Sequence, residues 1–258
     1  MANRPPPALG AGAQEGSPTL PLMWLWSILL LPFAGSLIAA ALPTRARNAE
    51  SILAGAVAIA NTLALAWMFP RGARGEVLAQ TIEWMPSLGV NLSVRIDGFA
   101  WTFAMLVCVI GALVVLYARY YLSTDDPAAR FYSLLLAFMG SMLGVVVSGN
   151  LVQLVVCWEL TSVLSFLLIG YWHHRKDARR GARMAFTVTL TGGLALLGGV
   201  LLIGHIVGSL ELDAVLAAGD TIREHPLYPA TLVLVLLGAL TKSAQFPFHF
   251  WLPHAMAA

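Results

Sequence analysis

The chain has 258 residues, of which 59% are hydrophobic and 11% are charged, and its mean hydropathy is +0.78. A soluble domain carries roughly 25% charged residues, so the composition excludes an ordinary soluble protein and indicates an integral membrane protein. The formal net charge of +2 arises from basic residues in short turns beside apolar runs, without the continuous basic stripe that nucleic-acid binding uses. We therefore predict contact with the lipid bilayer and no nucleic-acid partner.

The N-terminal segment is rich in proline and glycine and cannot bury much apolar surface. We expect residues 1–21 to form a disordered extension. Residues 22–123 should then form a first set of transmembrane helices.

The apolar runs are each long enough to cross a hydrocarbon core of roughly 30 Å as a helix, and too long to be barrel strands. We therefore predict an all-α fold, a polytopic transmembrane bundle of about seven helices. The predicted spans are 22–42, 51–69, 99–118, 131–148, 151–172, 184–207 and 230–251.

The longest loop covers residues 70–97, between the second and third spans. Within it Trp84, Met85, Val90 and Leu92 alternate with polar neighbours, which is typical of a short β-hairpin. We expect a hairpin at the outer surface with a structural role.

The distribution of basic residues predicts the orientation, because Arg and Lys are retained in short cytoplasmic loops. One side of the membrane carries fewer of them: Arg4, Arg71, Arg74, Arg95 and Arg223. The other side carries Arg45, Arg47, Arg119, Arg130, Arg175, Lys176, Arg179, Arg180 and Arg183. We expect the N-terminus outside and the loop 173–183 in the cytoplasm.

Two residues that are charged at neutral pH lie inside apolar runs: Glu159 in the fifth and Lys242 in the last, while the other carboxylates are expected in segments that reach water. A charge at the centre of a bilayer costs about 3 kcal/mol or more. We expect Glu159 and Lys242 to face the protein interior, to pair, and to lie on an ion or proton path. A fixed structural ion pair, or a lysine that reaches the membrane interface, is the alternative.

Pro247 should break or kink the last helix, because proline lacks the backbone donor. The freed carbonyls then need a protein-lined or wet cavity, and broken helices are typical of transport sites. His249 follows the break and is a candidate for the next proton-carrying group, since imidazole titrates near neutral pH. A hydrogen-bonded packing histidine fits the residue type equally well.

Several small residues surround these candidates in the sequence. Ser162 shares the helical face of Glu159, and Thr187 and Thr191 lie four residues apart on the next helix, where their hydroxyls could hold water beside the carboxylate. Ordinary interhelical packing is the alternative. The same packing explains the glycines of that helix, which permit close backbone approach: Gly192, Gly193, Gly198 and Gly199.

Cys108 and Cys157 lie in apolar helices and belong to no C-x-x-C pair. The sequence shows no catalytic nucleophile, nucleotide-binding loop or metal-ligand set. We predict no cofactor and no metal in this chain, so any redox centre would belong to a partner.

Longer motifs carry a family resemblance. Cys-Trp-Glu-Leu-Thr-Ser at 157–162, Leu-Ile-Gly-Tyr-Trp at 168–172 and Thr-Lys-Ser-Ala-Gln-Phe-Pro-Phe-His-Phe-Trp-Leu-Pro at 241–253 resemble the fifth and seventh helices of the proton-translocating antiporter-like superfamily. That superfamily includes the large membrane subunits of respiratory complex I. With Arg-Ile-Asp-Gly-Phe at 95–99 and Leu-Tyr-Ala-Arg-Tyr-Tyr-Leu at 116–122, the chain is most similar to the MrpA membrane proteins of Mrp-type Na⁺/H⁺ antiporters.

The resemblance implies roles for the candidate residues. Glu159 would be the helix-five glutamate, Lys242 the lysine at the break in helix seven, and His249 a station on the route away from that lysine. Residues 124–258 would be the start of the proton-translocating antiporter-like domain. Family members contain inverted repeats, each with a broken helix, and this chain ends within the first repeat, as an incomplete half of that fold.

The function implied by the resemblance is that of a membrane subunit in a multisubunit Na⁺/H⁺ antiporter of a bacterial-type plasma membrane, a secondary transporter and not an enzyme. Its partners would be the other subunits of that complex, H⁺, and Na⁺ or another monovalent cation. The alternatives are a proton-pumping subunit of an NADH:quinone-oxidoreductase-like or hydrogenase-like complex, and an inactive truncated fragment.

Overall fold

The computed structural model of the protein describes residues 24–43, 47–123 and 126–256. The predicted disordered extension, 1–21, lies outside the described residues.

Within the described residues, six helices are long and apolar enough to cross a membrane. They are α1 Trp24–Ala41, α2 Arg47–Gly72, α3 Gly98–Tyr121, α4 Ala128–Val147, α5 Leu151–Ile169 and α6 Lys176–Val207. Shorter helices follow: α7 Leu212–Ala217, α8 Gly219–Glu224, α9 Tyr228–Lys242 and α10 Trp251–Met256. The predicted all-α transmembrane bundle is confirmed.

The helices pack as a chain of neighbours. α4 lies between α1 and α5, α2 packs on α3, and α6 lies between α5 and α9. One apolar core forms among α1 to α4, and a second, smaller one forms around α5 and α6. The second core belongs to the half of the bundle that contains Glu159 and Lys242.

The last predicted span is broken, as expected. α9 ends at Lys242, ahead of Pro247, and the chain then makes a short 3₁₀ turn, Phe248–Phe250, before α10. Backbone groups freed by the break find partners inside the protein: Trp251 Nε1 donates to Thr241 O at 2.9 Å, and Gln245 N donates to Leu240 O at 3.0 Å. These bonds make the interruption tolerable at membrane depth.

The predicted hairpin is also confirmed. β1 Leu78–Met85 pairs antiparallel with β2 Val90–Ile96. The connecting turn ends at Gly89, whose φ of 65° is a left-handed conformation that favours glycine.

The hairpin is hydrogen-bonded to the start of α5. The Gln153 amide accepts from Ser93 N at 2.7 Å and donates to Ser93 O at 3.1 Å. Asn150 caps α5 through its side-chain oxygen and donates to Gly89 O at 3.1 Å. Leu212 N donates to Gly149 O at 2.8 Å, so the hairpin, the α4–α5 turn and the α6–α7 turn form one connected cap.

A charged cluster closes the base of the hairpin. Arg95 contacts Asp97 at 2.5 Å and Asp213 at 2.7 Å, and the Asp97 side chain caps α3 by accepting from Ala100 N at 2.8 Å. Burial alone would raise the pKa of Asp97, but the Ala100 N–H and the Arg95 guanidinium together hold that pKa below its ordinary value of 3.8. The cluster therefore favours an ionised Asp97.

One sequence expectation about acidic residues is wrong. The apolar run of the second span begins at residue 51, so the sequence predicts that Glu50 reaches water. α2 instead begins at Arg47, and Glu50 lies in its first turn with 0% exposure. Burial here comes from packing of α2 against α1, α3 and α4, which the local sequence does not encode.

Candidate functional site at the helix break

The site begins with the position of Lys242 at the last turn of α9. Its Nζ donates to Ser162 Oγ of α5 at 2.7 Å, lies 3.4 Å from Trp158 O, and sits 5.5 Å from the centroid of the Trp158 ring. All three contacts are with neutral groups, which hold an ammonium ion through hydrogen bonds and a cation–π interaction. Polar and aromatic groups of α5 therefore bind the Lys242 ammonium without a carboxylate partner.

The predicted ion pair between Glu159 and Lys242 is not formed: among the described residues, no ion pair within 4.0 Å joins them. Both carboxylate oxygens of Glu159 are buried and receive no hydrogen bond from a described residue. The physical reason is the direction of the two side chains. Lys242 reaches Ser162, about one helical turn along α5, whereas the Glu159 carboxylate lies against Gly193 of α6.

Gly193 provides the space for that carboxylate. A Cβ atom at position 193 would overlap Glu159 Oε1, so any larger residue there would displace the acid. The neighbouring Gly192 takes the Thr241 side chain in the same way, and the Gly238 backbone of α9 lies close to Leu196 of α6. As predicted, these glycines allow close helix approach, and they thereby fix the positions of both ionisable residues.

A cavity of about 170 Å³ adjoins Lys242. This space exceeds what a single water molecule needs, and the hydroxyl groups in its wall are possible hydrogen-bond partners for water. Its wall carries four hydroxyl groups: Thr161, Ser162, Ser165 and Thr189. The remaining lining residues are Phe138, Met142, Phe166, Ala185, Phe186, Lys242 and Trp251. The arrangement places four hydroxyl groups beside the Lys242 ammonium in an otherwise mainly apolar chamber between α4, α5 and α6.

His249 is separate from this chamber. It lies in the 3₁₀ turn after the break, is exposed in this chain, and stacks on Phe246 with ring centroids 5.8 Å apart. Trp251, not His249, lines the cavity beside Lys242. The structure therefore brings Lys242 to the α5 residues next to Glu159 and leaves His249 at the surface of the chain.

The predicted hydroxyl neighbours are partly wrong. Ser162 contacts Lys242, but Thr187 and Thr191 are exposed, and their hydroxyls donate to backbone carbonyls of their own helix. Thr189 is the buried threonine of α6 that reaches the cavity. Its signal in the sequence is its place, four residues after Ala185 and three before Gly192, on the small-residue face of α6.

Comparison with known proteins identifies the family. Residues 148–258 match the family model described as "NADH:quinone oxidoreductase/Mrp antiporter, TM", and residues 84–132 match "NADH-Ubiquinone oxidoreductase (complex I), chain 5 N-terminus". The chain belongs to this antiporter-like membrane family. The larger match covers α5 and Lys242, and of the cavity wall it leaves out only Phe138 and Met142.

Two relatives of this antiporter-like chain illustrate the similarity. A probable K⁺/H⁺ antiporter subunit of type A/B from Rhizobium meliloti is 64% identical over 230 residues, which are 89% of this chain and 23% of that protein. The Na⁺/H⁺ antiporter subunit of type A from Alkalihalophilus pseudofirmus is 48% identical over 185 residues, 71% of this chain and 23% of that protein. The chain thus spans about a quarter of the length of these relatives.

Solved structures agree. The Mrp complex from Dietzia sp. DQ12-45-1b contains a chain with a TM-score of 0.79 and 32% identity, matching 91% of this chain and 25% of that one. A chain of the archaeal membrane-bound sulfane sulfur reductase shares the fold, with a TM-score of 0.77 at 22% identity over 90% of this chain and 47% of that one. The same bundle fold therefore occurs in an Mrp complex and in an archaeal respiratory membrane complex.

Proposed function

We propose that this chain is part of a membrane subunit of a multisubunit monovalent cation/proton antiporter, and that protons move through Glu159 and Lys242. The observation that carries the proposal is the position of Lys242 at the end of a broken helix, bonded to Ser162 one turn from the unpartnered carboxylate of Glu159. Buried ionisable groups at a broken helix are typical of transport sites.

The geometry supports a proton-transfer role for Lys242. The Ser162 hydroxyl can accept from an ammonium and donate to a neutral amine, so the contact persists when the lysine gives up a proton. The adjoining cavity, with its four hydroxyl groups, offers a place for the water that would receive that proton. Glu159 is a separate charge site on the same helix, and ionisation of one group changes the electrostatic energy of the other.

His249 is proposed as a later station. Its exposure in this chain means that it would exchange protons with a neighbouring surface, and not directly with the cavity beside Lys242. We propose residues 124–258 as the start of the proton-translocating domain and 22–123 as the preceding helices.

The coupling cation is proposed to be Na⁺ or K⁺, because one similar relative is named for each ion. The partners are proposed to be the other subunits of an antiporter complex, since a chain of the Mrp complex shares both fold and sequence. The chain acts in this proposal as part of a secondary transporter and not as an enzyme.

The chain is a multi-pass membrane protein. We propose the bacterial plasma membrane as its location, with the basic loop 173–183 in the cytoplasm and the N-terminus outside. A single cysteine introduced at Lys176, in a background without Cys108 and Cys157, tests this orientation. A membrane-impermeant maleimide should label it in everted vesicles and not in intact cells, and the reverse pattern would refute the orientation.

Everted vesicles that contain the complete complex test the transport function. With a preformed pH gradient and respiration blocked, addition of Na⁺ or K⁺ should collapse the gradient. Glu159→Gln and Lys242→Ala should abolish this response, whereas Glu83→Gln, on the exposed face of the hairpin, should not. Equal flux in all variants would indicate that this segment is inactive.

A proton pump driven by a redox reaction is the second candidate, because the matching family model is described for both NADH:quinone oxidoreductase and Mrp antiporter proteins. The two functions differ in their driving force. Proton movement that requires an electron donor and ignores Na⁺ and K⁺ would favour the redox-driven pump.

A further inference from the structure

A second buried acidic site lies at the opposite end of the bundle from the hairpin. Glu50 in the first turn of α2 and Tyr132 near the start of α4 are both 0% exposed, and Tyr171, just after α5, is 7% exposed. Both carboxylate oxygens and both phenolic oxygens are buried without a hydrogen-bond partner among the described residues. α2 packs against α4, and the Phe131 ring of α4 lies against both phenol rings, with centroids 5.5 Å from Tyr132 and 5.7 Å from Tyr171, so the three side chains belong to one region.

The surrounding basic residues do not neutralise Glu50. Among the described residues, no ion pair within 4.0 Å includes it. Arg47 directs its guanidinium to the carbonyls of Arg119 and Leu122 at the end of α3. Arg130 lies over the Tyr171 ring, with its guanidinium carbon 6.0 Å from the ring centroid.

An uncompensated buried carboxylate is unstable, so a buried acid takes up a proton or a cation. The two neighbouring phenols favour a proton over a metal cation. Two phenols can each donate one hydrogen bond to an ionised carboxylate, and either phenolic oxygen can accept the proton of a neutral carboxyl. In the structure these oxygens are not hydrogen-bonded to one another, so either bond would form only after the side chains rotate.

We propose that Glu50, Tyr132 and Tyr171 form a second proton-binding site, distinct from Glu159 and Lys242. Burial, together with the charge of Asp126, raises the pKa of Tyr171 to about 12, so its hydroxyl remains a donor at neutral pH. Glu50 is the member of the site that gains and loses the proton.

The position of the site suggests its access route. α2 and α4 begin, and α5 ends, at the end of the bundle that carries the basic loop 173–183. Asp126 and Arg130 lie beside Tyr171, and Trp172 Nε1 donates to Asp126 Oδ1 at 3.1 Å, which joins the α3–α4 and α5–α6 turns over the site. The charged groups that face the site are Arg47, Arg119, Asp126 and Arg130. Protons would enter and leave past this polar turn.

Proton binding by Glu50 does not depend on antiport, although any contribution to transport rests on the proposed function. Infrared difference spectroscopy of the complete complex in membranes, between two pH values, reads proton binding directly. The wild type should show a carboxylic-acid C=O band that Glu50→Gln removes. Glu83→Gln, an exposed acid on the hairpin, should leave that band in place.

The phenols give a second, milder test, because Tyr→Phe removes one hydrogen-bonding oxygen with little change in shape. Tyr132→Phe and Tyr171→Phe should each shift the frequency of the Glu50 band, and Tyr228→Phe, at the start of α9, should not. A wild-type spectrum retained in Glu50→Gln would overturn the proposal, as would a band that disappears when Na⁺ or K⁺ is added at constant pH, since the site would then bind a metal cation. These readouts are independent of flux, so loss of antiport alone leaves them intact.

Discussion

The Nζ atom of Lys242 donates a 2.7 Å hydrogen bond to Ser162 Oγ, while the carboxylate of Glu159 lies against Gly193 of a different helix. The two ionisable groups are thus held apart by separate neighbours on α5 and α6. Each can change protonation without breaking a direct ion pair, whose loss would leave a buried charge uncompensated.

Lys242 is expected to be indispensable for flux. Lys242→Ala should lower cation-driven proton movement on the order of a hundredfold or more, the usual contribution of a positioned proton-transfer group. The matched control is Lys176→Ala, which removes the other lysine of the chain at the exposed start of α6. Initial rates in everted vesicles, normalised to the amount of assembled complex, decide the outcome; similar rates for both variants would remove Lys242 from the proton route.

Ser162 should act through Lys242. Ser162→Ala removes the hydrogen bond to the ammonium, and such charge-assisted bonds contribute about 1.5–3 kcal/mol, so flux should fall roughly tenfold or more and its pH dependence should shift. Ser165→Ala changes another hydroxyl of the same cavity that has no contact with Lys242. Pump rates measured across a pH series should separate the two variants, and coincident pH profiles would contradict the assignment.

Gly193 should tolerate no side chain. Gly193→Ala places a methyl group where the Glu159 carboxylate lies, and overpacking of this kind costs about 1–3 kcal/mol. We expect a lower midpoint of thermal unfolding together with loss of flux. Gly198→Ala is the control, because a methyl group there would meet only Leu234 Cδ1 at an ordinary 3.5 Å. Wild-type stability and flux in Gly193→Ala would show that Glu159 lies elsewhere.

Asp97 should make the stability of the protein depend on acid pH. Its pKa is lower in the folded protein than the ordinary 3.8, so its contribution is present above pH 3.8 and is lost as the pH falls through the lower folded value. Asp97→Asn keeps a capping oxygen but removes the charge that contacts Arg95, which should cost up to about 1 kcal/mol at neutral pH. The thermal midpoint of the variant should approach that of the wild type at acid pH.

Asp220→Asn provides the comparison for Asp97, because the Asp220 side chain is 90% exposed and pairs with Arg223 within one short helix. Its thermal midpoint should follow the wild type at every pH. A constant difference between Asp97→Asn and wild type from neutral to acid pH would argue against an ionised Asp97 as the source of stability.

Gln153 should hold the hairpin to the bundle. Gln153→Leu would leave the buried N–H of Ser93 without a partner, at a cost of about 1–3 kcal/mol, whereas Ser93 O would keep its hydrogen bond from Gly149 N. We expect faster proteolysis within residues 70–97 of the assembled complex. Gln80→Leu, on the other strand of the hairpin, should be nearly neutral, because its side-chain oxygen has no partner among the described residues.

The sequence predicts the features of this protein that depend on local chemistry. Long apolar runs give the helices, alternation around Trp84 and Leu92 gives the hairpin, and Pro247 gives the break. The helix ends earlier, at Lys242, and Trp251 Nε1 satisfies the freed Thr241 O across the interruption. That contact joins residues on both sides of a turn whose path the sequence does not specify.

Features that depend on packing between helices could not be predicted from the sequence. Glu50 lies next to the basic residues of a predicted loop, and only the contacts of α2 with its neighbours bury it. The sequence predicts Thr187 and Thr191 instead of Thr189 for a related reason. The spacing of residues along α6 does not show which side of the helix faces the protein interior. Glycines and alanines mark the packed face of that helix, and Thr189 falls on it.

Two hydrogen bonds between Gln153 and Ser93 attach the start of α5 to the hairpin. The same helix carries Glu159 and Ser162, the hydrogen-bond partner of Lys242. Six residues, or about 9 Å of helix, separate this anchor from Glu159. The first turn of α5 is therefore attached to the hairpin. A neighbouring protein that displaced the hairpin would also displace the start of the helix on which Glu159 and Ser162 lie, without contacting either residue.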